Sequence, residues 1–249
     1  MGNKVVHFEL QGPDPDGVAK FYGQLLGWRT ESIPGEQPYI VVDTQAGKGI
    51  NGGFGRTREG QPPAATLYVG VDDIKATLKQ AESLGAKTIV PFTEIPNVVT
   101  FALFSDPQGA VVGLVQAPQG MEGENPAPSA GTNPPVDWFE ILSSDPKKAW
   151  GFYSKLLGWK VNEAPGPEGV IYGMVGEADS GIGGGIGNSP DGQPHVNVYA
   201  GVDDVKKVLS KAESLGAKTI VPVTQVAENT TIAMFADPQG TTFGLYQGM

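Results

Sequence analysis

Apolar residues recur at helical spacing in Val18, Phe21, Tyr22 and Leu25, and again in Ala149, Phe152, Tyr153 and Leu156. This spacing predicts two amphipathic helices. Asp14-Pro15 and Asp145-Pro146 supply a capping residue and a first-turn proline, and Gly27 and Gly158 stop each helix. Strand patterns precede and follow the first helix, at Lys4 to Leu10 and then Trp28 to Ser32, Tyr39 to Asp43 and Gly49 to Gly55. Their counterparts are Val136 to Leu142, Trp159 to Glu163, Ile171 to Val175 and Gly181 to Gly187. Within the first copy the pattern restarts with a strand at Thr66 to Val71, a helix at Asp73 to Leu84 and strands near Thr88 to Val90, Val99 to Phe104 and Val111 to Val115. The segment Asp106-Pro107-Gln108-Gly109 reads as the turn before the last strand. Each half-copy is therefore a βαβββ module. Four modules predict an α+β fold whose sheets carry helices on one face.

The chain is written twice, at an offset of 131 positions from Phe8-Glu9-Leu10 to Phe139-Glu140-Ile141. Leu25-Leu26-Gly27-Trp28 returns as Leu156-Leu157-Gly158-Trp159, and the sequence from Glu82 to Pro91 is repeated without change from Glu213 to Pro222. A period this long marks duplicated domains. The expected boundaries are 1–116 for the first domain, 117–135 for a linker and 136–249 for the second domain. The linker carries five prolines and three glycines and reads as extended.

Strand, Asp-Pro helix start, Phe-Tyr, Leu-Gly-Trp, three strands and a final Asp-Pro-Gln-Gly together resemble the vicinal oxygen chelate superfamily. Its members include glyoxalase I, extradiol dioxygenases and bleomycin-resistance proteins. More narrowly, the chain is similar to two-domain glyoxalase-like proteins often labelled hydroxylases. The resemblance implies cup-shaped sheets. In metal-dependent members it also implies ligands on the first, fourth, fifth and eighth strands of a domain. Carried over by position, these fall on His7 and Trp138, on the glycine-rich stretches from Ile50 to Gly53 and Ile182 to Gly185, on Thr66 and Asn197, and on Gly113 and Gly244. One candidate ligand, His7, remains where a transition metal normally holds three or four protein groups. The expectation is no metal and no other cofactor, with a cup enlarged where glycine replaces the family's carboxylate.

Composition narrows the partners. A formal charge of -10 opposes binding to a phosphate backbone, so nucleic acid is not expected. The chain has no cysteine, which removes thiolate chemistry and disulfides, and only His7 and His195 as imidazoles. No stretch approaches the roughly 20 apolar residues of a membrane span, and no signal-peptide pattern opens the chain. The expectation is a cytoplasmic monomer whose two copies mimic a dimer, with a small organic ligand as partner. The glycines from Gly47 to Gly60 lack the Gly-Lys-Ser/Thr context of a phosphate loop and read as a rim carrying Arg56 and Arg58.

Strand alternation assigns the candidate site residues. With His7 facing the cup, Glu9 does so too, while Val6, Phe8 and Leu10 face the helices. Trp138 and Glu140 are their second-copy equivalents. Thr66, Tyr68, Gly113 and Val115 add to the first set, and His195, Asn197, Tyr199, Gly244 and Tyr246 to the second. Glu9 and Glu140 are the candidate catalytic acids, because an apolar floor raises a carboxylate pKa toward that of a general base. A structural carboxylate is the alternative for both. Family members whose domains pair across an interface would bring His7 and Glu9 to His195, Asn197 and Tyr199, and Trp138 and Glu140 to Thr66, Tyr68 and Val115. Domains that close on themselves would keep the histidines apart.

These features point to a metal-free small-molecule-binding protein that sequesters an organic compound or transforms it by acid–base chemistry. A metal-dependent lyase or isomerase, a dioxygenase-like or hydroxylase-like enzyme, and a non-catalytic interaction module are the alternatives.

Overall fold

A computed structural model describes residues 2–33, 39–57, 59–95, 99–116, 127–165 and 169–248. Arg58 and the linker residues 117–126 lie outside the described residues. The first copy runs β1 (Val5–Gly12), α1 (Pro15–Leu26), β2 (Arg29–Ile33), β3 (Tyr39–Asp43), β4 (Asn51–Arg56), β5 (Ala64–Gly70), α2 (Ile74–Ser83), β6 (Lys87–Ile95), β7 (Val99–Ser105) and β8 (Val111–Gln116). The second copy runs β9 (Val136–Ser143), α3 (Pro146–Leu157), β10 (Val161–Glu163), β11 (Tyr172–Val175), α4 (Glu177–Ser180), β12 (Gly183–Asn188), β13 (His195–Gly201), α5 (Val205–Ser214), β14 (Lys218–Ala227), β15 (Thr230–Ala236) and β16 (Thr242–Gln247). The βαβββ modules are as expected from the sequence, and α4 is an addition peculiar to the second copy.

The helix signals act as their chemistry requires. Gly27 and Gly158 end α1 and α3 in left-handed conformations, with φ of 78° and 74°. Asp145 caps α3 by accepting from the Lys148 amide, whereas the Asp14 side chain makes no cap bond at the start of α1.

Each copy builds one curved eight-stranded sheet. The orders are β2-β3-β4-β1-β5-β8-β7-β6 and β10-β11-β12-β9-β13-β16-β15-β14. The sheets are mixed: β5 runs parallel to β8, and β13 to β16, while the outer pairs are antiparallel. All strands of one copy thus share one sheet.

Compactness divides the chain in another way. One compact unit takes Met1–His7, Thr66–Pro126 and Phe139–Val196, and the other takes Phe8–Ala65, Ala127–Trp138 and Asn197–Met249. Each unit joins a first half-copy to the second half of the other copy. In the first unit, Phe152 on α3 meets Phe104 on β7 at 6.0 Å, and Tyr153 stacks on Trp159 at 5.6 Å. In the second, Phe21 on α1 meets Phe235 on β15 at 5.9 Å, and Tyr22 lies between Trp28 and Phe243 at 5.6 and 5.1 Å. The aromatic face of each first-half helix is buried against a strand of the other copy, which removes large apolar area from water. Trp28 and Trp159 are core residues, their indole N–H groups donating to the carbonyls of Pro134 and Asn3 at 2.9 and 2.7 Å. No helix among the described residues is long and apolar enough to cross a membrane.

Candidate functional site

Alternation along β1 buries Phe8 and Leu10 completely, Phe8 packing on Trp28 at 5.5 Å, and turns Glu9 to the opposite face. Glu9 is only 7% exposed and accepts from Gln11 Nε2 at 2.9 Å. The phenol of Tyr39, at the start of β3, is buried beside it: burial first, and the charge of Glu9 second, hold its pKa well above the ordinary tyrosine value. Tyr39 reaches this position by lying across Gly53 of β4, where a Cβ would overlap its hydroxyl.

The second copy repeats the arrangement in the other unit. Tyr172 Oη donates to Glu140 Oε1 at 2.8 Å, and a Cβ at Gly185 would overlap the Tyr172 hydroxyl. Sequence comparison had set Tyr39 against Ile171. Strand register corrects this: Val41 pairs with Gly53 as Met174 pairs with Gly185, which places Tyr39 against Tyr172. These two tyrosines were missed as site residues, and that one-residue offset is what hid them.

On β5, Tyr68 pairs in register with Gly113 of β8, and on β13, Tyr199 pairs with Gly244 of β16. A Cβ at either glycine would overlap the tyrosine ring. The expectation that glycine opens space on the last strand is therefore corrected at Gly113 and Gly244. A tyrosine on the neighbouring strand fills the volume that the lost side chain leaves.

His7 lies edge-on to Tyr68 with ring centroids 5.8 Å apart. The ring is deep enough that burial lowers its pKa to about 4, so the imidazole is neutral near pH 7. Thr66 is buried on β5, and Val115 is half-buried at the end of β8. His195 sits in a different environment, its Nδ1 2.9 Å from the Gln193 carbonyl within its own turn. The two histidines lie on strands of different sheets, His7 on β1 and His195 on β13.

Asn197 is fully buried, its Oδ1 accepting from the Thr242 hydroxyl at 2.9 Å while its Nδ2 has no hydrogen-bond partner among the described residues. Tyr199 Oη points at Met234 Sδ, 3.3 Å away, and Trp138 is half-buried on β9. Tyr246 Oη donates to Asp137 Oδ1 at 2.6 Å. Arg56 is exposed at the end of β4, as a solvated rim residue would be.

These residues do not fit the family's metal centre. Among the described residues no three or more His, Cys, Asp or Glu gather as metal ligands would. Two of the positions that carry ligands in metal-dependent members are glycines beneath tyrosine rings. The groups that do face one another, carboxylate with phenol and imidazole with phenol, can accept, donate and transfer protons.

Known proteins point the same way in fold. The family description "Glyoxalase-like domain" matches residues 7–115, and "Glyoxalase/Bleomycin resistance protein/Dioxygenase superfamily" matches 136–245. A Mycobacterium tuberculosis protein with the provisional name glyoxylase CFP32 is 28% identical over 243 residues, covering 95% of this chain and 92% of its own. The anthracycline biosynthesis protein DnrV of Streptomyces peucetius is 26% identical over 240 residues, covering 84% and 80%. The Mn(II)-bound glyoxalase of Novosphingobium aromaticivorans superposes with a TM-score of 0.66 at 16% identity, over 99% of this chain and 81% of that one. The 2,2',3-trihydroxybiphenyl 1,2-dioxygenase of Sphingomonas wittichii gives a TM-score of 0.68 at 14% identity, over 100% and 91%. With both copies matched and the duplicated βαβββ sheets in place, the chain belongs to the vicinal oxygen chelate superfamily as a two-domain, glyoxalase-like member.

Proposed function

We propose that this protein binds a planar, hydroxyl-bearing organic molecule without a metal ion, and either sequesters it or moves a proton on it through Glu9 or Glu140. One observation carries the reading: the Tyr172 hydroxyl bonded to Glu140 at 2.8 Å, a carboxylate–phenol pair that Glu9 and Tyr39 repeat in the other copy. A carboxylate oriented by a phenol accepts a hydrogen bond from a ligand hydroxyl. If the ligand proton is acidic enough, it is transferred to the carboxylate. Trp138, half-buried on β9, offers flat apolar surface of the kind on which conjugated rings pack. Relatives named for anthracycline biosynthesis support a polycyclic aromatic as the ligand class.

Protein purified without chelator is analysed for metals by mass spectrometry, and alizarin, a dihydroxyanthraquinone, is titrated while tryptophan emission is followed. Less than one-tenth of a divalent ion per chain is expected, together with saturable quenching that weakens at least fivefold in Glu140→Gln or Glu9→Gln. One tightly held ion per chain would move the protein to the metal-dependent lyase, isomerase or dioxygenase reading. Absence of quenching would favour a non-catalytic interaction module.

A further inference from the structure

A pocket of about 360 Å³ lies in the second unit, where linker residues Thr132 to Pro135 pass Lys48 and the ends of β13 and β16. It is separate from the carboxylate–phenol pairs. Its volume falls in the range of small-ligand sites. Pro134, Pro135 and the ring of Tyr246 give it apolar walls, while Lys48, Asp203 and Gln247 are the polar groups that matter here. Behind the wall, Asp137 receives two bonds, from Tyr246 Oη at 2.6 Å and from Lys48 Nζ at 2.9 Å.

The two copies differ at this place. Asp137 and Tyr246 correspond to Val6 and Val115 in the first copy, and Lys48 corresponds to Ser180 in the second. Val6 packs on Gly70, the counterpart of Gly201, whereas the Tyr246 hydroxyl lies over Gly201 itself. Ser180 belongs to α4, is fully buried, and donates to the Ile182 carbonyl at 2.6 Å. A pair of valines suffices for the scaffold there, so a half-buried acid, a phenol and a lysine are not needed to hold the strands.

We propose that this pocket is a second ligand site, and that it takes a small organic amine whose ammonium replaces Lys48 on Asp137. The charges favour a cation. Asp203 on the wall and Asp137 behind it, bonded to Lys48, are two acids to one lysine, and the chain as a whole carries -10. The exchange is inexpensive: the Lys48 side chain is 68% exposed against 15% for Asp137, so the lysine returns to water while the acid keeps a positive partner. Tyr246 and the two prolines receive the apolar part of the ligand. A neutral molecule of the same shape lacks the first of these terms.

Amide spectra of nitrogen-15-labelled protein, titrated with benzylamine and separately with benzyl alcohol, test the site. Benzylamine is expected to shift the amides of Gly201, Asp203, Gln247 and Gly248 saturably, with benzyl alcohol at least tenfold weaker. Lys48→Ala, which removes the internal competitor, should tighten benzylamine binding severalfold. Asp137→Val with Tyr246→Val, which restores the first-copy pair, should abolish it. Asp137→Asn, which keeps the shape and the Tyr246 contact, should weaken it tenfold even if the double variant is unstable. Equal binding of the alcohol, weaker binding to Lys48→Ala, or unchanged binding to Asp137→Asn would each overturn the proposal. Alizarin quenching is read independently, so the two sites stand or fall separately.

Discussion

Tyr153 donates its hydroxyl hydrogen to Asp106 Oδ2 at 2.9 Å, and this bond fastens α3 of the second copy to the turn that closes the first. The other oxygen of Asp106 accepts from the amides of Gln108, Gly109 and Ala110 at 2.8, 2.7 and 3.0 Å. One carboxylate thereby shapes its own turn and anchors a helix from the other repeat. Tyr22 and Asp237 are the equivalent pair in the second unit but make no hydrogen bond of ordinary geometry, although the carboxylate lies close enough to add to burial in raising the phenol's pKa.

Removing the Tyr153 hydroxyl leaves a buried carboxylate oxygen without its partner. Tyr153→Phe should cost about 1–3 kcal/mol in urea unfolding. Tyr22→Phe, which removes no hydrogen bond of ordinary geometry, should cost less than Tyr153→Phe. Equal losses would mean that the two pairs are energetically equivalent.

The same aspartates set a pH dependence. Burial raises the pKa of Asp106 and Asp237 above the ordinary 3.8, outweighing the hydrogen bonds that pull the other way. A raised folded-state value means that the native protein holds these protons longer than the unfolded chain does. Their contribution to stability is largest in acid and declines as pH rises from 3.8 through the raised values. Asp106→Asn should flatten that decline in unfolding curves collected between pH 3.5 and 6.

His7 acts in the opposite sense. Burial lowers its pKa from 6.5 to about 4, so the unfolded chain takes up this proton first. Its contribution is present above pH 6.5 and is lost as pH falls toward 4, by at most about 3 kcal/mol. His7→Gln should lose less stability than the parent between pH 7 and pH 4.5, with the imidazole titration followed by NMR as the direct check.

Gly113 tests the tyrosine packing. A methyl group there overlaps the Tyr68 ring, so Gly113→Ala should destabilise by about 1–3 kcal/mol. Combining it with Tyr68→Ala should recover at least 1 kcal/mol of the sum of the single losses. Additive losses would mean that the ring and the glycine are not coupled.

The two helix caps differ in a way that the sequence does not reveal. Asp145→Ala removes a hydrogen bond to the Lys148 amide and should cost about 1 kcal/mol, whereas Asp14→Ala removes none and should cost less than half as much. Thermal unfolding of the two variants side by side checks this.

Local chemistry made much of the molecule legible in the sequence. Helical spacing, Asp-Pro starts and glycine stops specify α1 and α3, and strand alternation puts Phe8 inside and Glu9 on the opposite face, because these signals act over a few residues. Position along the motif also singled out Gly113 as the place where the family's carboxylate stands, and strand alternation put Tyr68 on the same face. The meaning of the glycines was not legible. A missing side chain reads as space until the neighbouring strand is known, and here Tyr68 and Tyr199 occupy it.

By itself, then, the sequence determined four βαβββ modules, two copies, a conserved scaffold and divergent site residues. Only the tertiary structure decided that each sheet keeps to one copy while each core mixes two, that Tyr39 and Tyr172 join Glu9 and Glu140, and that Tyr153 belongs with Asp106. The reason is physical. Turn, cap and alternation preferences are local and can be read along the chain, whereas burial and hydrogen bonding between distant segments depend on which surfaces meet.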